Sequence, residues 1–376
     1  MKKKALVVTI FSVPNYGSVL QAYATQKVVE SLGFECWMLN YDHNESKWAK
    51  DHGVLGLSLK TKIGILLGIK DTHRKWKMLR RFTSKHFKLT KPYRLLSEIK
   101  KAEGDKYDVY ISGSDQIWNT NYTNCDPVFL LQFADSDKSR ISLASSFACK
   151  TLNPVYVDKF RQELTRFDAL SVREAHGLKI LEKLGCKNAK LLLDPTLLIT
   201  KQQWNELRIK HERKDKYILL YLLRYAFEPC PYVYDVLRYY KEKLHCNIIA
   251  LEGYDHTEKQ MKDLEIINAT ETSIPDFLDL FANASLVVTS SFHGTAFALN
   301  YGVPLISITP NSGDDRQSSL LSLLGLQQCR LRVGEDIDNA NPFYDASKEQ
   351  QCLTDLRNGA LTWVSCVLNN NRKDIL

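Results

Sequence analysis

One histidine stands where a strand pattern meets a helix pattern. In Ser285 to Ile308, SLVVTSSFHGTAFALNYGVPLISI, the run Leu286–Val288 reads as an interior strand and Thr295 to Tyr301 as a helix closed by Gly302. This spacing predicts His293 and the first helix amides at the carboxyl end of a parallel strand. That is where open α/β sheets bind ligands and where a helix start receives phosphate. Ser290, Ser291, Gly294 and Thr295 surround the histidine, so small residues leave room for a ligand and hydroxyls offer hydrogen bonds. An imidazole so placed would grip or protonate a phosphorylated substrate; the plainer alternative is that it only caps the helix.

Three further loops follow strand patterns. In Asn15-Tyr16-Gly17, the glycine lets backbone approach a ligand and the amide donates or accepts, although a plain turn has the same composition. Ser112-Gly113-Ser114-Asp115-Gln116 concentrates small hydroxyl residues with one carboxylate and one amide. Asp115 there suits a general base or a ligand for sugar hydroxyls, with helix capping as the alternative. Arg173, in Ser171-Val172-Arg173-Glu174, presents a planar fork suited to carboxylate or phosphate, or else forms a local salt bridge with Glu174 or another acid.

The elements that must position these loops alternate. Strand patterns at Ala5–Phe11, Glu35–Tyr41, Tyr107–Ser112, Ile141–Phe147, Ala169–Val172 and Ala189–Leu193 are interleaved with helix patterns at Ser18–Leu32, Val155–Phe167 and Ala175–Leu184. The same alternation restarts at Tyr217–Leu222, with helices Pro231–Leu244 and Ile274–Ala282 around a strand Asn247–Leu251. After Leu305–Ile308 come a polar loop, Asn311–Gln317, and helices near Ser318–Leu324 and Ser347–Leu368. We expect an α/β protein of two Rossmann-like domains facing across a cleft. Residues 1–200 would form the first, carrying the acceptor side and a basic helical insertion at 60–101. Residues 201–376 would form the second, the donor side, its C-terminal helix packing back on the first. The charged stretch Lys201–Lys216 is the expected linker.

The chain has 376 residues, 44% hydrophobic and 25% charged, enough for two globular cores. No apolar run reaches the roughly 18 residues of a membrane span, and the N-terminal stretch turns polar before a secretory signal is complete. The nine cysteines show neither CxxC pairs nor metal-like spacing with histidine, which predicts reduced core residues, no metal site and a cytoplasmic location. GxGxxG and GxxxxGK[ST] are absent, so dinucleotide oxidoreductases and P-loop ATPases lose support. The net charge of +8 is concentrated between Lys70 and Lys101, where aromatic and aliphatic residues interleave with twelve cations. A solvated helical face accounts for this, as would an anionic membrane surface, an anionic substrate or nucleic acid; nucleic acid ranks last, because no nucleic-acid-binding module accompanies it.

Five ordered motifs carry a resemblance: Asn15-Tyr16-Gly17-Ser18 with Leu20-Gln21-Ala22, Ile111 to Asn119, Ser171 to Glu174, Leu193-Asp194-Pro195-Thr196, and Ser291-Phe292-His293-Gly294-Thr295. In this order they resemble the polysaccharide pyruvyl transferase family. The resemblance implies a GT-B-like fold and transfer of pyruvate from phosphoenolpyruvate to a sugar as a ketal, with release of phosphate and no cofactor. It implies that Arg173 holds the donor, that His293 lies near its phosphate, and that Asp115 orients or deprotonates an acceptor hydroxyl. Many members have arginine two residues before the histidine, where this chain has Ser291. The acceptor would be a sugar or a lipid-linked oligosaccharide, with peripheral contact at the inner membrane face through residues 70–101. A nucleotide-sugar glycosyltransferase and a non-catalytic scaffold in polysaccharide assembly are the alternatives.

Overall fold

Runs of four or five buried, largely β-branched or aromatic residues recur in both halves of the chain, and each such run becomes a parallel strand, as expected where both sheet faces are covered. The structure is a computed structural model that describes residues 2–54, 56–213, 215–223, 226–251, 263–269, 271–311 and 316–369. Two compact units emerge. One comprises the residues up to Gly68, Trp76–Ile199 and those from Leu356 on; the other comprises Ile69–Lys75 and Thr200–Asp355.

In the first unit, β1 (Lys4–Val8), β2 (Glu35–Met38), β3 (Val109–Ser112) and β4 (Ser139–Ser142) form a parallel sheet in the order β2-β1-β3-β4. β5 (Ser171–Val172) and β6 (Lys190–Leu191) pair with each other, and bridges from Ile141 to Ala169 and from Ser145 to Val172 link β5 to the segment of β4. Two strands end earlier than expected. β1 stops at Val8 because the following residues bond to side chains: Thr9 Oγ1 donates to Ser114 O, and Gln21 Nε2 donates to Ile10 O at 3.0 Å. β4 stops at Ser142 because Ala144 takes φ = 53°, which no ladder accommodates. The core is aromatic-rich: Trp118 meets Phe147 and Phe160, and its indole donates to Phe129 O.

The second unit carries β7 (Tyr217–Tyr221), β8 (Asn247–Ala250), β9 (Ile267–Asn268), β10 (Leu286–Thr289), β11 (Leu305–Thr309) and β12 (Arg330–Arg332), parallel and ordered β12-β11-β10-β7-β8-β9. From β7, the first three strands run to one side and the next three to the other, the doubly wound arrangement of dinucleotide-binding folds. β9 and β12 are missing from the sequence reading, since two or three residues carry too little periodicity to stand out. The polar loop Asn311–Gln317 lies partly outside the described residues.

The expected linker, Lys201–Lys216, opens with a helix, Lys201–Asn205, started by a reciprocal capping box between Thr200 and Gln203. The last helix, Ala346–Leu368, begins in the second unit and from Leu356 belongs to the first, where Arg357 Nε donates to Leu197 O at 2.7 Å. Within the basic segment expected at 60–101, Ile69–Lys75 belongs to the second unit. No described helix is long and apolar enough to cross a membrane.

All nine cysteines are free, and Cys36, Cys125, Cys246 and Cys329 are buried. Burial pushes the thiols of Cys125 and Cys329 up to about 12 and raises that of Cys36, so little thiolate exists near neutrality. Iodoacetamide at mildly alkaline pH should therefore leave these three unmodified in the native protein and modify them on unfolding, as peptide mass spectrometry would show.

Candidate functional site

In an open parallel sheet, ligands bind at the carboxyl ends of the strands where the chain reverses its winding direction. In the first unit that point lies between β1 and β3, and in the second between β7 and β10. The motifs after β1, β3 and β10 fall there, while those at Ser171–Glu174 and Leu193–Thr196 follow β5 and β6. Their side chains, however, are directed largely inward.

Around β3 the organising group is a buried ion pair. Arg173, just past β5, places Nη1 at 2.7 Å from Asp194 Oδ2, and both side chains are fully buried. Ser114 donates to the same oxygen at 2.7 Å, while Thr196 supplies its backbone N–H and its hydroxyl to Oδ1 at 2.9 and 2.7 Å. The salt-bridge alternative for Arg173 therefore holds, with Asp194 as partner. Glu174 instead accepts the backbone N–H groups of Phe147 and Ala148. A guanidinium enclosed in this way fixes the loop.

Asp115 sits at the edge of this network. Its side chain is 10% exposed, and Oδ1 lies 3.5 Å from Arg173 Nη2, an electrostatic rather than hydrogen-bonding distance. Its φ of 77° is left-handed, rare outside glycine, and is supported locally by Gln116 N donating to Oδ1 at 2.9 Å. Strained positions of this kind cluster at functional sites. Gly113 is required sterically, since a Cβ there would lie 2.9 Å from Thr9 Cβ.

The other expected ligands in this unit have structural partners. Ser112 donates to Phe129 O at 2.8 Å, and the Gln116 amide oxygen accepts from Asn119 at 2.8 Å. Asn15 caps the helix Tyr16–Ser31 by accepting from Ser18 N, and Tyr16 and Gly17 form its buried first turn rather than a loop. Buried Gln21 ties helix to strand end, donating to Thr9 Oγ1 at 3.1 Å.

In the second unit the helix starts earlier than expected, at Phe292, so His293 and Gly294 lie inside its first turn. The reason is Ser291: its Oγ accepts from Gly294 N at 3.2 Å, which makes this expected ligand a helix cap. His293 is 6% exposed and its ring stands edge-on to Phe292. Ser290 Oγ accepts from Leu223 N at 2.8 Å, joining the loops after β7 and β10 at the reversal point. The Thr295 hydroxyl meets that of Ser307 at 2.9 Å. Gly294 admits no side chain, since a Cβ would lie 2.2 Å from Thr289 Oγ1.

A cavity of about 210 Å³ opens at the carboxyl ends of β1 and β2. Ser12, Asn40, Asp42, Trp76, Arg80 and Thr83 supply its polar lining, and the Arg80 guanidinium lies 4.8 Å from the Trp76 ring centroid. Burial and the nearby Glu45 charge raise the Asp42 carboxyl above its ordinary range, against the pull of Arg80. Beside it, buried His43 and Tyr41 both contact Asp126 Oδ2, at 2.8 and 2.7 Å, anchoring the turn after β2. A wider depression of about 700 Å³ lies at the amino ends of β7 and β8, between Lys216 and Asn247, away from the reversal point. No group of metal-ligating side chains occurs among the described residues.

Sequence reasoning missed Asp194 as the centre of the first network, although an aspartate directly before proline is a helix-start signature. It also missed Asn40 and Asp42, polar residues that immediately follow a strand.

The sequence profile of polysaccharide pyruvyl transferases matches residues 15–312. The chain belongs to this family. Among solved structures it is similar to UDP-GlcNAc 2-epimerase from Neisseria meningitidis bound to UDP-GlcNAc, at 11% identity and a TM-score of 0.55, over 98% of this chain and 100% of that one. It is also similar to UDP-N-acetylglucosamine 2-epimerase from Rickettsia bellii, at 11% identity and a TM-score of 0.53, over 100% and 96%. Such identities speak for the fold alone, the expected GT-B-like α/β fold with parallel sheets. No curated protein matches the chain by sequence.

Removing one partner of a buried ion pair leaves an uncompensated charge, at a typical cost of about 3–5 kcal/mol. Asp194→Asn should therefore destabilise the first unit by that amount in urea unfolding, whereas Asp158→Asn, which breaks an exposed pair with Arg161, should change its stability by less than about 1 kcal/mol.

Proposed function

We propose that this family member transfers pyruvate from phosphoenolpyruvate to a sugar of a polysaccharide precursor, as a ketal, in the cytoplasm. The observation that supports the reading is that the motifs after β1, β3 and β10, within the matched residues 15–312, stand at the strand-reversal points of the two units, where open α/β sheets bind ligands.

On this reading the second unit receives the donor. The helix Phe292–Tyr301 directs its positive end toward the phosphate, and His293 in its first turn binds the phosphate or protonates the enol carbon. In the first unit, Asp115 orients one acceptor hydroxyl and takes its proton, while Arg173 is a positioning residue that acts through the Asp194–Ser114 network. The cavity lined by Asn40, Asp42 and Trp76 holds a sugar ring; its volume lies below the roughly 300–1,000 Å³ of sites for larger ligands. Chemically, protonation of the methylene carbon produces an oxocarbenium-like centre at C2, where the first hydroxyl adds. Phosphate then leaves and a second hydroxyl of the same sugar closes the ring. Of the two hydroxyl protons, one replaces that delivered to the methyl group and the other departs with phosphate.

The test is phosphate release from phosphoenolpyruvate with galactose-, glucose-, mannose- and N-acetylmannosamine-containing acceptors. Asp115→Gly and His293→Asn should each lower kcat by about 10²–10⁴, the usual contribution of a general acid or base. Asp115→Gly also relieves the left-handed backbone, so its melting temperature should equal or exceed that of the wild type, separating lost chemistry from lost folding. No release with any acceptor, together with thermal stabilisation by a nucleotide sugar but not by phosphoenolpyruvate, would replace this reading with glycosyl transfer.

A further inference from the structure

A helix on the surface of a globular domain normally turns its apolar stripe inward. The helix Leu59–Leu67 does the reverse. Leu59, Ile63, Leu66 and Leu67, at helical positions i, i+4, i+7 and i+8, are between 48% and 74% exposed, while the helix rests on the protein through buried Gly64 and Ile65. The element is well formed: Ser58 caps its start by accepting from Thr61 N, and Gly68 closes it at φ = 68°. These four side chains share one face of a nine-residue helix. A clustered exposed patch of this kind marks a contact surface.

The charges around the stripe identify the occupant. Lys60 is exposed on the same helix, where Lys62 pairs with Glu45 at 2.8 Å, and the helix that follows, Asp71–His86, exposes Lys77, Arg81 and Lys85. Two copies of this chain meeting through such surfaces would bring like charges together, whereas anionic headgroups neutralise them and the hydrocarbon boundary receives the leucines. We propose that the stripe Leu59–Leu67 is a peripheral membrane anchor that lies in the plane of an anionic lipid surface, with exposed cations of its own helix and the next contacting headgroups. The expected membrane contact through residues 70–101 thus becomes the electrostatic part of a contact whose apolar part precedes it. Lys88, within that range, is engaged elsewhere, paired with Glu35 and lying over the Trp37 ring. The anchor adds to the transfer reading a lipid-linked acceptor, but the surface itself stands independently of that chemistry.

Co-sedimentation of the full chain with vesicles tests it without donor or acceptor, so its outcome is separate from that of the phosphate-release assay. The wild type should sediment with phosphatidylcholine vesicles containing phosphatidylglycerol and weakly with phosphatidylcholine alone. Replacing Leu59, Ile63, Leu66 and Leu67 together by Gln should lower the bound fraction about tenfold or more, with the melting temperature retained because the side chains are exposed. Lys77→Gln with Arg81→Gln and Lys85→Gln should weaken binding and reduce its salt dependence. Two results would overturn the proposal: wild-type protein that stays in the supernatant with anionic vesicles, or a quadruple variant that sediments like the wild type. A wild-type dimer that the quadruple variant dissociates, with no vesicle binding, would assign the stripe to a second copy.

Discussion

A guanidinium and a carboxylate, both sealed from water, tie three separate stretches of the first unit together: the loop after β3 through Ser114, the end of β5 through Arg173, and a helix start through Asp194. Burying two charges is unfavourable unless attraction and hydrogen bonds compensate, and here Asp194 accepts from four donors. The arrangement is accordingly intolerant of partial loss. The left-handed backbone at Asp115 represents about 1–3 kcal/mol of strain, and dismantling the adjacent ion pair would cost about 3–5 kcal/mol. The bond to Asp194 fixes Ser114, the residue next to the strained one. A carboxylate is thereby presented at the rim of the sheet in a conformation that its own sequence would not choose.

This hierarchy explains which parts of the site were legible. Motifs rich in small residues marked the tight approaches, because Gly113 and Gly294 sit where neighbouring side chains leave no space for a Cβ. What the sequence could not reveal is the direction of the side chains. Ser112, Ser114, Ser290 and Thr295 have the chemistry of ligands, and each is bonded to another part of its own unit. A serine that caps a helix and a serine that binds a hydroxyl look identical in sequence, which is why the helix at His293 starts three residues before its pattern suggests. Strand placement was legible wherever four or more buried residues ran together. It failed at β9 and β12, short edge strands whose identity comes from their neighbours rather than from their own pattern.

The basic segment shows the same limit in another form. Its composition alone suits solvent, lipid or nucleic acid, and only burial separates the faces. Leu79, Thr83 and Phe87 turn inward at spacings of four, Trp76 and Arg80 border a cavity, and Lys77, Arg81 and Lys85 face outward. One helix thus contributes to the core, to a polar cavity and to a charged surface. Charge excess in a sequence identifies the third of these roles and conceals the first two.

Ser291 bears most directly on the proposed chemistry. The arginine that the resemblance leads one to expect at this place would bring a full positive charge to the start of the histidine helix but could not accept a backbone N–H. Serine does accept one, from Gly294, and so caps the helix that begins at Phe292 and draws His293 into its first turn. The positive potential available to a phosphate at this point then comes from the helix itself, equivalent to about half a unit charge. The serine thus exchanges a permanent side-chain charge for a helix cap, and leaves the helix end and the hydroxyls around it to meet an anion.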